Sequence, residues 1–287
     1  MIDFHTHMIF MKEIKDLERW TKVGKYFICE EPKYPIGLRS IQELEMRMKY
    51  GKIDQAVILP IDCSRSKGEA LLTNREVKKL CDLLPLFIGF ASVDPGKESI
   101  MEDLEEARDL GLKGLKLDPG LQEFDLSSTL EHPMWNEIAN IGWPVVIHAG
   151  YSFVNKSSMY STRLVDIEHL ALKFPNINFV VSHWAFPWVM EAVLLAIKLP
   201  NFYIDVSMAY FDNPTIYSRF ILDRYISASI VEKSIREKIL FGSNYPRIRM
   251  ESMKAAYEKW PISDKAKEHL FYKNAEKLLN TSRRVIR

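Results

Sequence analysis

The chain has little cysteine and no excess of either charge. Its 287 residues include 3 cysteines, Cys29, Cys63 and Cys81. Their scatter gives neither a zinc-ribbon spacing nor a disulfide framework, and it suits a reducing compartment. Lys+Arg 39 against Asp+Glu 38 leaves a formal net charge of +1. That balance offers no electrostatic footing for nucleic acid or an anionic membrane. No apolar run approaches the roughly 20 residues needed to span a bilayer. The first residues carry Asp3 and histidines where a signal peptide needs basic and then apolar residues, so a cytoplasmic location is expected. Linkers, low-complexity tracts and internal repeats are also missing. No Gly-x-Gly-x-x-Gly turn follows the first apolar run, which weakens the case for an open, doubly wound nucleotide-binding sheet.

What is present is a 47% hydrophobic content arranged in short runs. The runs start near Ile2, Ala56, Leu86, Gly114, Val145, Asn178, Phe202 and Ile239. They lack clean polar alternation, as parallel strands buried on both faces do. Between them lie helical stripes: Ile41, Leu44 and Met48; then Val77, Leu80, Cys81 and Leu84. Leu164, Ile167, Leu170, Ala171 and Phe174 form a third, and Val189, Ala192, Val193, Ala196 and Ile197 a fourth. Strands alternating with helices eight times predict an α/β fold, a single (β/α)8 TIM barrel over residues 1–287. One gap is too long for a crossover helix. Residues 8–38 hold Trp20, Tyr26, Phe27 and Tyr34 with breaks at Gly24, Pro32 and Pro35. We read this as an extended loop insertion after the first strand, serving as a lid or subunit contact.

Four of the 7 histidines end strand candidates. His5 and His7 close the first, and i, i+2 alternation points both to one side. His148 closes Pro144–His148, and His183 closes Phe179–His183. In a barrel these ends converge on one cavity. Catalytic zinc sites commonly use three protein ligands and leave a position open, and a bound metal lowers the pKa of its water toward about 7. His132, His169 and His269 fall in helices or loops and are read as structural.

The order of these segments resembles the amidohydrolase superfamily, and within it the amidohydrolase-related family of metal-dependent hydrolases and decarboxylases. The segments are Asp3-Phe4-His5-Thr6-His7, Gly111–Leu117, Pro144–Gly150, Val181-Ser182-His183, Phe202–Ser207 and Phe241–Pro246. The resemblance implies one divalent metal, zinc or alternatively manganese, on His5, His7 and His148. His183 would be a proton donor or acceptor, or a metal ligand in two-metal relatives, where a carboxylated Lys116 would bridge the ions.

The family pattern has aspartate where this chain has Asn244. The amide keeps an oxygen of similar reach but cannot act as a base near neutrality. Arg247 is a candidate for a substrate carboxylate, and Trp184 and Tyr151 are candidate aromatic walls. Three functions remain open. The first is hydrolysis of an ester, lactone or amide of a small carboxylate-bearing molecule, with His183 and Asn244 as the catalytic pair. The second is nonoxidative decarboxylation of an unsaturated or aromatic acid. The third is a metal- or ligand-binding barrel with reduced catalysis. A homodimer is expected, through residues 8–38 or the segment near Phe211–Pro214.

Overall fold

In the computed structural model the described residues are 1–19, 21–22, 38–152, 158–211 and 213–284. Eight strands appear: β1 Ile2–Thr6, β2 Gln55–Ile58, β3 Phe87–Gly89, β4 Leu115–Leu117, β5 Val145–Ile147, β6 Phe179–Val181, β7 Phe202–Asp205 and β8 Ile239–Leu240. Each begins within a residue or two of an apolar run in the sequence. They pair in parallel as β1-β2-β3 and β4-β5-β6-β7-β8. Two seams join these sheets into a ring. Ala91 bridges to Leu115 on one side, and Thr6 bridges to Tyr245 on the other. Backbone bonds reinforce the second seam, from Phe4 N to Phe241 O (2.8 Å) and from His7 N to Tyr245 O (2.7 Å).

Helices α1 Ile41–Gly51, α2 Asn74–Leu83, α3 Ile100–Asp109, α4 Met134–Ile141, α5 Leu164–Lys173, α6 Val189–Lys198, α7 Pro214–Arg224 and α8 Met250–Glu258 alternate with the strands. Local chemistry starts several of them. Ser40 caps α1 by accepting from Glu43 N, and Thr73 with Glu76 forms a capping box on α2. The anticipated stripes face the core, with one exception. Ile197 is 52% exposed on the outer face of α6, because that helix is apolar nearly all round and its stripe is wider than its contact.

The apolar interior has two parts. The larger lies between strands and helices. The smaller gathers Ile2, Phe4, Val57, Phe90, Val146, Val180, Tyr203 and Leu240 with Ala275, Leu278 and Leu279 of the last helix, α9 Asn274–Arg284. Burying each large aliphatic or aromatic side chain contributes roughly 1.5–3 kcal/mol. The β1–β2 register shifts between Asp3 and Thr6. This bulge re-aims the chain: Phe4 packs in the inner apolar cluster, yet adjacent His5 lines the cavity above it.

After β1, Met8, Ile9, Phe10 and Met11 are buried, so the insertion begins as core. Its tip, residues 23–37, and Asp212 of the second expected dimer contact lie outside the described residues. No helix among the described residues is long and apolar enough to cross a membrane.

Candidate metal centre

The C-terminal strand ends surround a cavity lined by His5, His7, Lys116, Asp118, His148, Tyr151, His183, Tyr210, Asn244 and Arg247, among others. All four expected histidines are therefore neighbours. The ring centroids of His5 and His183 are 4.8 Å apart, and those of His148 and His183 are 5.1 Å apart.

Three of the four rings are held by a hydrogen bond at Nδ1. His5 Nδ1 meets Asp205 Oδ2 at 2.7 Å, and His7 Nδ1 meets the Leu59 carbonyl at 2.8 Å. A carbonyl only accepts, so the His7 proton sits on Nδ1. The Ser207 hydroxyl donates to Asp205 Oδ1 and therefore accepts from His183 Nδ1, 2.7 Å away. His148 Nδ1 faces Asp118 Oδ2 at 3.9 Å. In this arrangement Nε2 is the bare nitrogen of His5, His7 and His183. Burial lowers the pKa of all four rings, and neighbouring cations and histidines lower it further; Asp205 and Asp118 oppose this at His5 and His148. Neutral imidazoles are the form that binds metal.

The donor set fits a divalent cation. His5 Nε2 and His7 Nε2 lie 3.1 Å apart. With both protons on Nδ1, these are two facing lone pairs with no proton between them. His148 Nε2 and Asn244 Oδ1 are buried without a hydrogen-bond partner among the described residues. Such orphaned atoms are costly unless something else satisfies them. His5, His183 and Asp205 also bring ligand atoms within 4.8 Å of one another. Asp205 is already committed, however, to His5, Ser207 and the His183 N–H. Burial alone would raise its pKa; its pairing with His5, with His183 and Ser207 beside it, holds it below the usual carboxylate range. Asp205 thus orients His5, in the manner of the outer carboxylates of histidine metal sites.

Two close approaches shape the floor. A Cβ at Gly242 would stand 2.7 Å from His5 Cβ and 2.9 Å from Ser207 Cβ. One at Gly150, whose φ is +88°, would stand 2.1 Å from the Phe186 carbonyl oxygen. Asn244 is left-handed, with φ +62°, a conformation asparagine tolerates. Its backbone N donates to the His5 carbonyl at 2.9 Å, and its side-chain Nδ2 donates to Met208 Sδ at 2.9 Å.

The remaining candidates divide. Lys116 reaches the cavity, and its amine donates to Ser182 Oγ at 3.3 Å. Burial pulls its pKa down to about 8, against Asp118 and Asp205. Arg247 and Tyr151 line the cavity, with Tyr151 packed edge-on to Tyr210 at 5.6 Å. Trp184 does not line it, which corrects its expected role as a substrate wall. His183, Trp184 and Ala185 are consecutively left-handed (φ 62°, 58° and 50°). This turn drives the indole into the wall, fully buried, where it stacks on Trp260 and donates to Tyr257 Oη at 3.0 Å.

Sequence reading missed Asp118, Asp205, Ser207 and Tyr210. Asp205 had a usable signal: it ends β7, and the histidines sit at or just beyond the ends of β1, β5 and β6.

Comparisons with known proteins agree with the fold. A family model described as amidohydrolase matches residues 2–281. No curated protein matches the chain. Among solved structures, an uncharacterized TIM-barrel protein from Bordetella bronchiseptica is 21% identical with a TM-score of 0.76, covering 98% of both chains. The 5-carboxyvanillate decarboxylase of Sphingomonas paucimobilis is 14% identical with a TM-score of 0.64, covering 97% of this chain and 98% of its own. A probable 2-pyrone-4,6-dicarboxylic acid hydrolase from Acinetobacter baumannii, with citric acid bound, is 17% identical with a TM-score of 0.62, again covering 97% and 98%. At these identities the likeness is one of fold.

Proposed function

Because the chain belongs to the amidohydrolase family, we propose that it is a metal-dependent hydrolase acting on an ester, lactone or amide of a small carboxylate-bearing molecule. The observation that carries this reading is that His5, His7, His148 and His183 line one cavity in which His148 Nε2 and Asn244 Oδ1 have no hydrogen-bond partner among the described residues. His5, His7 and His148 would hold one divalent ion, zinc first and manganese second, with Asn244 Oδ1 as a neutral fourth donor. Bound there, the ion would supply Lewis acidity at the cavity floor.

The chain's own groups do the rest. His183, with its proton on Nδ1 toward Ser207, presents Nε2 to the cavity as a proton acceptor. The Ser207–Asp205 pair behind it stabilises the imidazolium once it has accepted. Arg247 and Lys116 make that side of the cavity cationic and suit a substrate carboxylate. Tyr151 and Tyr210 flank it with apolar faces.

A second reading, nonoxidative decarboxylation, is favoured by Asn244 itself. Carbon dioxide loss does not require a carboxylate base to activate water, so an amide at the β8 end costs that chemistry less. Two assays separate the readings. Zinc-loaded protein and its Asn244→Asp variant are screened against lactones and esters, and against aromatic acids for carbon dioxide release. Ester or lactone turnover, increased in the variant, supports hydrolysis. Carbon dioxide release that the variant does not improve supports the lyase. Tight zinc binding with neither activity leaves a binding barrel, and no metal uptake refutes the shared premise.

A further inference from the structure

We propose that Asp118 supplies the metal centre with the negative charge that the amide of Asn244 withholds, acting from the β4 end beside His148. This assignment rests on the metal-hydrolase reading above. With Asn244 in place, the donors around the proposed ion are all neutral, and a dication held by neutral groups in a buried site needs a counter-charge nearby.

The candidates for that counter-charge are few. Asp205 keeps its charge but stands behind His5, shared with the backbone N–H groups of Ser207 and His183, and does not line the cavity. Asp3 accepts from Ser243 N and His5 N in the β1–β8 seam and does not line the cavity. Asp118 is the acidic side chain among the described residues that line it. Its Oδ2 faces His148 Nδ1 at 3.9 Å, beyond a hydrogen bond, so it acts on that imidazole as a charge.

The carboxylate is also built in place. Asp118 Oδ1 accepts from Leu121 N at 3.0 Å, capping the short turn that follows β4. The Asp118 backbone N donates to Gln122 Oε1 at 2.8 Å. Gln122 is fully buried, and its Nε2 is fixed to the Asp62 and Val93 carbonyls at 3.0 and 2.8 Å. These bonds bring the ends of β2, β3 and β4 to bear on one aspartate. Lys116, two residues earlier on the same strand end, donates to Ser182.

The test is a double-mutant cycle read by zinc affinity, in competition with a chromophoric chelator. The proteins are wild type, Asp118→Asn, Asn244→Asp and the double variant. Asparagine can keep the cap to Leu121, and Asp118→Ser serves as a second capping variant should the first misfold. In the wild-type background, Asp118→Asn should weaken zinc binding about 10–100-fold, the range for outer partners of metal ligands. In the Asn244→Asp background that loss should shrink by about tenfold or more, a coupling within the range seen for interacting residues. An equal loss in both backgrounds would mean that Asp118 only orients His148, and the proposal falls. No loss in the wild-type background refutes it as well. If none of the four proteins takes up zinc, the metal reading itself fails and removes the basis of the proposal.

Discussion

His5 and Asp205 are 200 positions apart in the chain, yet His5 Nδ1 and Asp205 Oδ2 stand 2.7 Å apart with both side chains fully buried. The carboxylate fixes the ring so that Nε2 faces His7 and the cavity. Asp205→Asn should therefore reduce zinc affinity by about 10–100-fold with little change in the fold. Chelator competition together with circular dichroism checks this; unchanged affinity would remove Asp205 from the site.

Zinc should stabilise the protein by mass action. At a hundredfold excess over the dissociation constant the gain is about 2.7 kcal/mol, visible as a rise in Tm. His148→Ala removes a ring whose Nε2 has no partner among the described residues. It should abolish most of the zinc-induced rise while leaving the Tm in chelator nearly unchanged.

Arg247 should set affinity rather than rate. Losing a charge-assisted hydrogen bond costs about 1.5–3 kcal/mol, which corresponds to roughly 10–100-fold in binding. Calorimetry with succinate as a probe of carboxylate binding would show this for Arg247→Met. An equal affinity in wild type and variant would count against the carboxylate assignment.

Tyr257 joins two strand ends from the helical layer. Its hydroxyl accepts from Trp184 Nε1 at 3.0 Å and donates to the Val206 carbonyl at 2.9 Å. Tyr257→Phe strands both buried partners and should cost about 1–3 kcal/mol in denaturant melts. A loss below about 0.5 kcal/mol, the scatter of neutral surface changes, would contradict the bridge.

Much of this site was legible in the sequence because parallel strands buried on both faces read as bare apolar runs, and the histidines end those runs. The cavity-lining histidines are therefore found from their place along each run. Their supports are not, because His7 leans on a backbone carbonyl 52 residues away and His183 on Ser207. Trp184 shows the limit most clearly. It follows His183 directly, but three successive left-handed residues send it away from the cavity, and no pattern of side chains announces that backbone. The β1 bulge is equally silent, although it lets adjacent Phe4 and His5 serve core and cavity.

Lys238, at the opposite end of the barrel, offers a pH test remote from the cavity. Burial, with Lys277 nearby, lowers its pKa to about 8. The unfolded chain, with a lysine near 10.4, then binds more protons than the folded one between about pH 8 and 10. Stability contributed by this group should rise with pH across that window. The difference in unfolding free energy between wild type and Lys238→Met should follow that rise, and a pH-independent difference would argue against the shift.

The seam between β8 and β1 has a temporal consequence. His5 and His7 are made first, but the strand that seats them arrives only with residues 239–245, through Asn244 N to His5 O and His7 N to Tyr245 O. Until those residues are made, His5 and His7 lack the wall that completes their pocket. Closing the ring of strands and completing the cavity wall are thus one event.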